Sequence, residues 1–278
     1  MRLRAKKIRT GYWRPGQDYV KAISGSLTRL LKDGDVIVVS EKAISTAEGN
    51  LIDESRVKPG VMARLIAQVW MRYVWGYILG RVCHLKPEAI KHLRSYPTKE
   101  GAAHKQVVLR LSGLLQALKH GSEGGVDISN VPYAYACLPL RDPQGVAEKI
   151  LSGIRKGTGR NVMVVIADTD STFSLGGVHF TTRPDPIEGI LSLGGVVAFV
   201  LGRAFRLRQR ATPLAVAGSP MSVEEALDLA EFAHHVRGYG AGRTVWDVAE
   251  RFGVGLSEVT WEMLEMVEHY PIVLIRRG

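Results

Sequence analysis

Lys32-Asp33-Gly34-Asp35-Val36-Ile37-Val38-Val39-Ser40 decides the architecture. A polar turn leads into four β-branched apolar residues that stop at a serine, the pattern of a short strand buried on both faces that delivers Ser40 to its end. A second run, Val162-Met163-Val164-Val165-Ile166-Ala167, reads the same way and carries Asp168-Thr169-Asp170 at its exit. Between and beyond them the apolar spacing turns helical, over 59–77 and over 108–118, with a stop at Gly121. Asp142-Pro143 caps and opens a helix with Val146, Ile150 and Ile154 on its buried stripe, ending at Gly157. Ser222 and Glu225 have capping-box spacing for a helix reaching about Val236, and Pro271–Ile275 is a closing strand. Strands and helices mixed in this way give an α/β or α+β fold with unreadable strand order.

The chain has 278 residues, 46% of them hydrophobic and 23% charged, enough to bury a full core and too apolar for disorder. No repeat or low-complexity linker divides it. Lys and Arg number 37 against 27 Asp and Glu, a net charge of +10 that favours an anionic partner: a phosphate-bearing small molecule, nucleic acid or an acidic membrane surface. Cys83 and Cys137 lie far apart, which excludes a disulfide framework and a zinc site of the usual spacing. No apolar run spans a bilayer, and the basic start lacks a signal-peptide apolar region, so the expected location is the cytoplasm. Asn and Gln together number nine, a scarcity that suits a heat-adapted protein.

Two carboxylates stand where chemistry often stands: Asp168 after its strand, and Asp127 in Gly124-Gly125-Val126-Asp127-Ile128-Ser129-Asn130. Hard oxygen donors there suit Mg²⁺ or Mn²⁺ against a substrate phosphate, whereas the plainer reading is an Asx turn. Gly238-Tyr239-Gly240-Ala241-Gly242-Arg243-Thr244 lies ahead of a helical pattern starting near Val245. Its amides and Arg243 can cradle a phosphate, or it is a helix C-cap and a flexible turn; it matches neither a P-loop nor a dinucleotide fingerprint. Arg203, Arg206, Arg208 and Arg210 form a basic run that can meet polyphosphate or simply face solvent. Ala249, Gly253 and Val259 have helix-turn-helix spacing, but Glu258, Glu262 and Glu265 on the second helix oppose phosphate backbones. That segment therefore reads as a structural helix pair, and the adjacent His234-His235 and Cys83-His84 as packing or surface residues.

The stretch Asp33–Gly49 resembles the opening signature of the coenzyme F420 gamma-glutamyl ligase family. Gly125-Val126-Asp127-Ile128-Ser129-Asn130-Val131-Pro132, Val164-Val165-Ile166-Ala167-Asp168-Thr169 and Pro271–Arg276 resemble its later blocks, in the family's order. The resemblance implies an α+β, two-lobed mixed fold in which residues 1–278 form one unit of interleaved lobes, with 243–270 as a helical insertion. It implies an intertwined homodimer that uses GTP as co-substrate and Mg²⁺ or Mn²⁺ to add L-glutamate to a deazaflavin coenzyme precursor or a related carboxylate. By resemblance Asp127, Asp168 and Thr169 hold the metal. Thr10, Gly11, Tyr12, Trp13, Ser40, Glu41, Ser45, Asn130 and the loop Gly238, Tyr239, Gly240, Ala241 and Gly242 contact the nucleotide. Three departures stand out: Thr46 where family members have Lys, Asp170–Gly176 where they continue Gly-Arg-Pro, and Tyr239 near the place of an acidic metal ligand. The alternative is a non-catalytic paralogue that binds a nucleotide or nucleic acid through its basic surface and C-terminal helix pair.

Overall fold

The computed structural model describes residues 3–277. The strands among them are β1 (Leu3–Thr10), β2 (Val36–Ser40), β3 (Leu51–Asp53), β4 (Tyr135–Cys137), β5 (Met163–Leu175), β6 (Val178–Thr181), β7 (Leu191–Ser192), β8 (Arg208–Ala217) and β9 (His269–Arg277). Seven join in one sheet, ordered β1-β9-β2-β5-β6-β7 with β8 also paired to β5, and β3 pairs with β4 separately. The helices are α1 (Tyr19–Leu27), α2 (Glu41–Ala47), α3 (Val61–Leu65), α4 (Gly80–Val82), α5 (Pro87–Arg94), α6 (Lys99–Leu111) and α7 (Leu114–Ala117), followed by α8 (Pro143–Thr158), α9 (Gly195–Ala204), α10 (Val223–Arg237), α11 (Val245–Phe252) and α12 (Trp261–Glu265). The architecture is mixed α/β with two sheets and extra helices toward the C-terminus. No described helix is long and apolar enough to cross a membrane.

Both apolar runs lie where full burial puts them. β2 pairs parallel with β5, Val36 opposite Met163 through Ser40 opposite Ala167, and antiparallel with β9 on its other side. Alternate side chains of this sheet enter two separate cores. Ile37, Val39, Val164 and Ile166 pack with Ile23 and Leu27 of α1 and Ile150 and Ile154 of α8, while Val36, Val38 and Val165 pack with Leu229, Ala230 and Ala233 of α10. Each such side chain withdrawn from water stabilises the fold by about 1.5–3 kcal/mol before entropy is set against it. The helix ends follow their capping chemistry: Asp142 accepts from the Gly145 N–H, and the Ser222 hydroxyl accepts from the Glu225 N–H.

Several elements differ from the sequence reading. β5 does not end before Asp168; it continues to Leu175 and changes partner there, from β2 to β6. Against β8 its register shifts between Asp168 and Ser171, a bulge that turns Asp168 and Asp170 inward and leaves Thr169 outside. The helix ending at Gly157 runs to Thr158, because Gly159 supplies the left-handed C-cap. The helix of 108–118 begins earlier, at Lys99, and is broken at Gly113, whose φ is +84°. The helix of 59–77 is extended, and its middle, Ile66–Leu79, is wound as a π-helix. Gly76 lets α5 approach it: a Cβ there would meet Arg94 Cγ at 2.9 Å.

The Arg-rich run lies partly in β8, and three of its four arginines are engaged by groups of the same chain. Arg203 donates to the carbonyls of Cys83 and His84, and Arg208 and Arg210 pair with Glu224 and Asp228 of α10. The second helix of the helix-turn-helix pattern, α12, has only five residues, too few to lie along a groove, and its Glu262 and Glu265 pair with Arg14. A third core joins Trp75 and Met71 of the π-helix to Tyr96, Val107, Val126 and Val196. Buried polar bonds lock it to the sheet, with Lys119 Nζ donating to Asp170 of β5 at 2.9 Å and Gln116 to the Thr182 carbonyl at 2.7 Å.

Candidate active site

A cavity of about 850 Å³ opens where the third core, the β2 and β5 strand ends and the C-terminal helices meet. Its wall includes Ser40, Lys42, Asp127, Ser129, Asn130, Asp168, Thr169, Tyr12 and Trp13, and the loop from Gly238 to Arg243. β2 hands its last residue to α2, so Ser40 and Lys42 reach the cavity while Glu41 points behind it. Asp127 is fixed by a reciprocal backbone bridge to Cys137 of β4, at 3.0 and 2.8 Å.

Asp127 and Asp168 each use one oxygen locally, in the manner of the plainer turn reading. The Ser129 N–H donates to Asp127 Oδ1 at 2.7 Å, and the Thr169 N–H to Asp168 Oδ1 at 2.6 Å. Their second oxygens face cations. Lys42 Nζ pairs with Asp127 Oδ2 and also donates to Ser129 Oγ at 2.9 Å. Burial works against the charge on Asp127, but Lys42 and the Ser129 amide overcome it and hold the carboxyl below its ordinary range. Asp168 Oδ2 is buried without a hydrogen bond, 3.5 Å from Arg183 Nη1.

Arg183 is the hub behind this wall. Its guanidinium pairs with Glu41, whose carboxylate also accepts from the Leu140 N–H at 2.9 Å. Gly125 makes the approach possible, since a Cβ there would fall 1.1 Å from Arg183 Nη1, and its φ of +85° already favours glycine. Glu41, Asp168 and Asp170 thus share two buried cations, Arg183 and Lys119. Burial first, and the neighbouring Asp168 charge beside it, push the Glu41 and Asp170 carboxyls upward against those cations. That upward push favours a proton within the cluster, which balances three carboxyls against two cations.

Asn130 holds the glycine loop. At a left-handed φ of 53°, its side chain donates to the Gly242 carbonyl at 2.8 Å and accepts from the Ala241 N–H at 2.7 Å, while the Tyr12 hydroxyl donates to its carbonyl. The structure therefore brings together Asp127, Asp168, Thr169, Tyr12, Trp13, Ser40, Asn130 and residues 238–242. It does not bring Thr10, Gly11, Glu41 or Ser45 to the cavity wall. Ser45 is buried and donates to the Leu138 carbonyl at 2.5 Å, and Glu41 is committed to Arg183. Thr46 lies on the wall, but its hydroxyl donates to the Lys42 carbonyl at 2.8 Å. Tyr239 stands between His234 and Arg243, ring to ring at 5.3 Å and ring to guanidinium at 5.2 Å. Lys42, Arg183 and Arg237 escaped the sequence reading, and His234, read there as a packing or surface residue, lines the cavity. Lys42 at least adjoined Ser40 and Glu41, whereas nothing in the order of residues pairs 183 with 41 and 168.

The F420-0:Gamma-glutamyl ligase family profile matches residues 7–277. The chain belongs to that family. It is 39% identical to an uncharacterized protein of Methanocaldococcus jannaschii across 99% of this chain and 96% of that protein. It is 31% identical to the coenzyme F420:L-glutamate ligase of Methanothermobacter thermautotrophicus across 50% of this chain and 49% of that one. The corresponding ligase of Archaeoglobus fulgidus is 30% identical across 56% and 55%. Likeness to these ligases spans about half of each chain, which fits a divergent paralogue, and membership gives family-level support to a ligase-type reaction.

At the far end of the cavity, His104 sits between Glu54, at 2.7 Å, and Glu123, at 2.5 Å, and Lys105 reaches Glu123 at 2.8 Å. Burial opposes the imidazolium, but the two carboxylates outweigh it and raise His104 from 6.5 to about 10. A raised value stabilises the fold fully below pH 6.5, and that contribution fades as pH rises through 10. His104→Gln is expected to cost about 3–5 kcal/mol at pH 6. The difference from wild type should narrow steadily toward alkaline pH in urea-unfolding curves; a pH-independent difference would contradict a charged His104.

Proposed function

We propose that the chain is a nucleotide- and divalent-metal-dependent amide ligase, joining L-glutamate to a carboxylate acceptor with GTP as co-substrate. The observation that carries this reading is the convergence, on one cavity wall, of Asp127, Asp168, Lys42 and Asn130 beside the glycine loop, which brings oxygen donors and a cation to one place. The donor chemistry fits Mg²⁺ or Mn²⁺. Among the described residues no group of three or more His, Cys, Asp or Glu encloses a metal. Asp127, Asp168 and Thr169 would supply part of an oxygen shell, and phosphates and water the rest, as Mg²⁺ prefers. The bound cation would offset triphosphate charge. Tyr239 adds no carboxylate, so the site leans further on Asp127 and Asp168.

In the proposed reaction an acceptor carboxylate oxygen attacks the terminal phosphorus, the bond to the bridging oxygen breaks, and the nucleoside diphosphate leaves. The glutamate amine then attacks the acyl phosphate carbon, losing a proton as phosphate departs. Protein groups contribute by position and charge, the main terms in phosphoryl transfer. Lys42 is free to turn from Asp127 to a phosphoryl oxygen once another cation neutralises that carboxylate. Asn130 keeps the glycine loop in place on the cavity wall. The acceptor is a deazaflavin coenzyme precursor or a related carboxylate.

GTP with Mg²⁺ or Mn²⁺, each near a hundred times its dissociation constant, should raise the unfolding midpoint by about 5 °C. Neither alone should match it, and Asp168→Asn should abolish the synergy. A shift that survives Asp168→Asn, or no shift with any nucleotide, would overturn the reading.

A homodimer belongs to the same proposal. It is supported by an exposed apolar row along 61–82, where Val61, Met62, Leu65, Tyr73 and Ile78 are each half-exposed or more. Sedimentation velocity at micromolar concentration should show a dimer that Leu65→Glu with Tyr73→Glu dissociates; a monomeric wild type would remove this part.

A further inference from the structure

Ser174, near the end of β5, stands opposite His179 of β6 on one side and Arg208 of β8 on the other. Its neighbour Phe173 packs against Gly202 of α9, so Ser174 points to the other face of the sheet, toward α10. Arg210 Nη2 reaches Ser174 Oγ at 2.7 Å, and His179 Nδ1 lies 2.9 Å from the same oxygen. The second ring nitrogen, Nε2, lies 3.4 Å from Glu224 Oε2, in the first turn of α10. Ser174, His179 and Glu224 all lie outside the cavity that Asp127 and Asp168 line.

The placement of protons follows from what each group can do. Arginine only donates, so Oγ accepts from Arg210 and its own hydrogen is left for His179. A ring nitrogen facing a carboxylate carries the hydrogen, so Nε2–H points at Glu224 and Nδ1 offers its lone pair to the serine. Glu224 is ionised, because its hydrogen bond with Arg210, and after that the charges of Arg210 and Arg208, hold its carboxyl below the ordinary range. Hydroxyl, imidazole and carboxylate in series, with a guanidinium on the oxygen, form the arrangement that activates a serine. The two ring nitrogens exchange their commoner roles, and the proton path is unchanged. Fastening β8 to α10 needs only the ion pairs of Arg210 with Glu224 and Asp228, so the serine and histidine are surplus to that task.

We infer that Ser174 is a nucleophile, with His179 as its base and Glu224 and Arg210 as its supports, and that it takes the acyl group of small carboxylic esters. Ser174 Oγ attacks the carbonyl carbon and its proton passes to His179 Nδ1. The bond from that carbon to the leaving oxygen breaks, and the departing oxygen takes the proton. Water, deprotonated by the same nitrogen, then releases the acid and restores the serine. Arg210 offsets the charge that builds on Oγ during attack. Ser174 is half-buried and the Glu224 side chain half-exposed, so a small molecule can approach from solvent. The open end of the β5–β6 hairpin limits the site to small esters whose leaving group departs readily.

The test is to incubate the full chain with a fluorophosphonate, which forms an Oγ–P bond as fluoride leaves, and to locate the adduct by peptide mass spectrometry alongside turnover of para-nitrophenyl acetate. Wild type should be labelled at Ser174, and Ser174→Ala should lose both adduct and turnover. His179→Gln should slow labelling by about a hundredfold or more. Glu224→Gln, at a half-exposed position that folding tolerates, should slow it by about tenfold or more. A wild type that stays unlabelled, an adduct at another residue, or labelling that both His179→Gln and Glu224→Gln leave at the wild-type rate would overturn the inference. None of these outcomes bears on the ligase reading, which rests on the separate cavity.

Discussion

The guanidinium of Arg183, 3% exposed, ties together parts of the chain that sequence order keeps far apart. It meets Glu41 at the start of α2, Asp168 in β5 and the backbone at Gly125, so strand end, bulge and turn are fixed around one charge. Removing that charge would leave two buried carboxylates facing each other, a far larger penalty than the net worth of either pair. The constraint runs both ways. Arg183 is shared: it pairs with Glu41 and lies 3.5 Å from Asp168 Oδ2, which is buried and accepts no hydrogen bond.

Arg237, at the end of α10, and Arg243 line the same cavity, and Asp168 is the carboxylate whose charge acts on Arg237. The +10 net charge, by contrast, is a weak guide. Much of the Arg-rich run is consumed in pairs with Glu224 and Asp228 and says nothing about ligands.

Local chemistry made much of this legible in advance. β2 and β5 announced themselves as apolar β-branched runs, α8 and α10 through their caps, and the Thr244 capping box starts α11 at Val245 as the helical pattern indicated. Asp127 and Asp168 were found because turn-and-strand context marks where side chains reach a cavity. The continuation of β5 past Asp168 was illegible, since polar residues 168–172 lack an apolar alternation, and Asp168, Asp170 and Thr172 are buried beside Arg183, Lys119 and Thr212 respectively. β8 was hidden for the same reason, its arginines reading as a solvated run. Long-range partners such as Arg183 with Glu41 leave no periodic trace in one sequence. Ser45 and Glu41 show the converse: residue type and resemblance suggested nucleotide contact, while the fold uses them as internal bonds.

The central claim is that the cavity wall carrying Asp127 and Asp168 holds one metal–nucleotide complex. Water-proton relaxation of Mn²⁺–GTP, titrated with the protein, tests it most directly, because a slowly tumbling ternary complex enhances relaxation whatever the acceptor is. The account predicts strong enhancement with wild type and its collapse with Asp168→Asn. Equal enhancement in both proteins, or none in either, would contradict it.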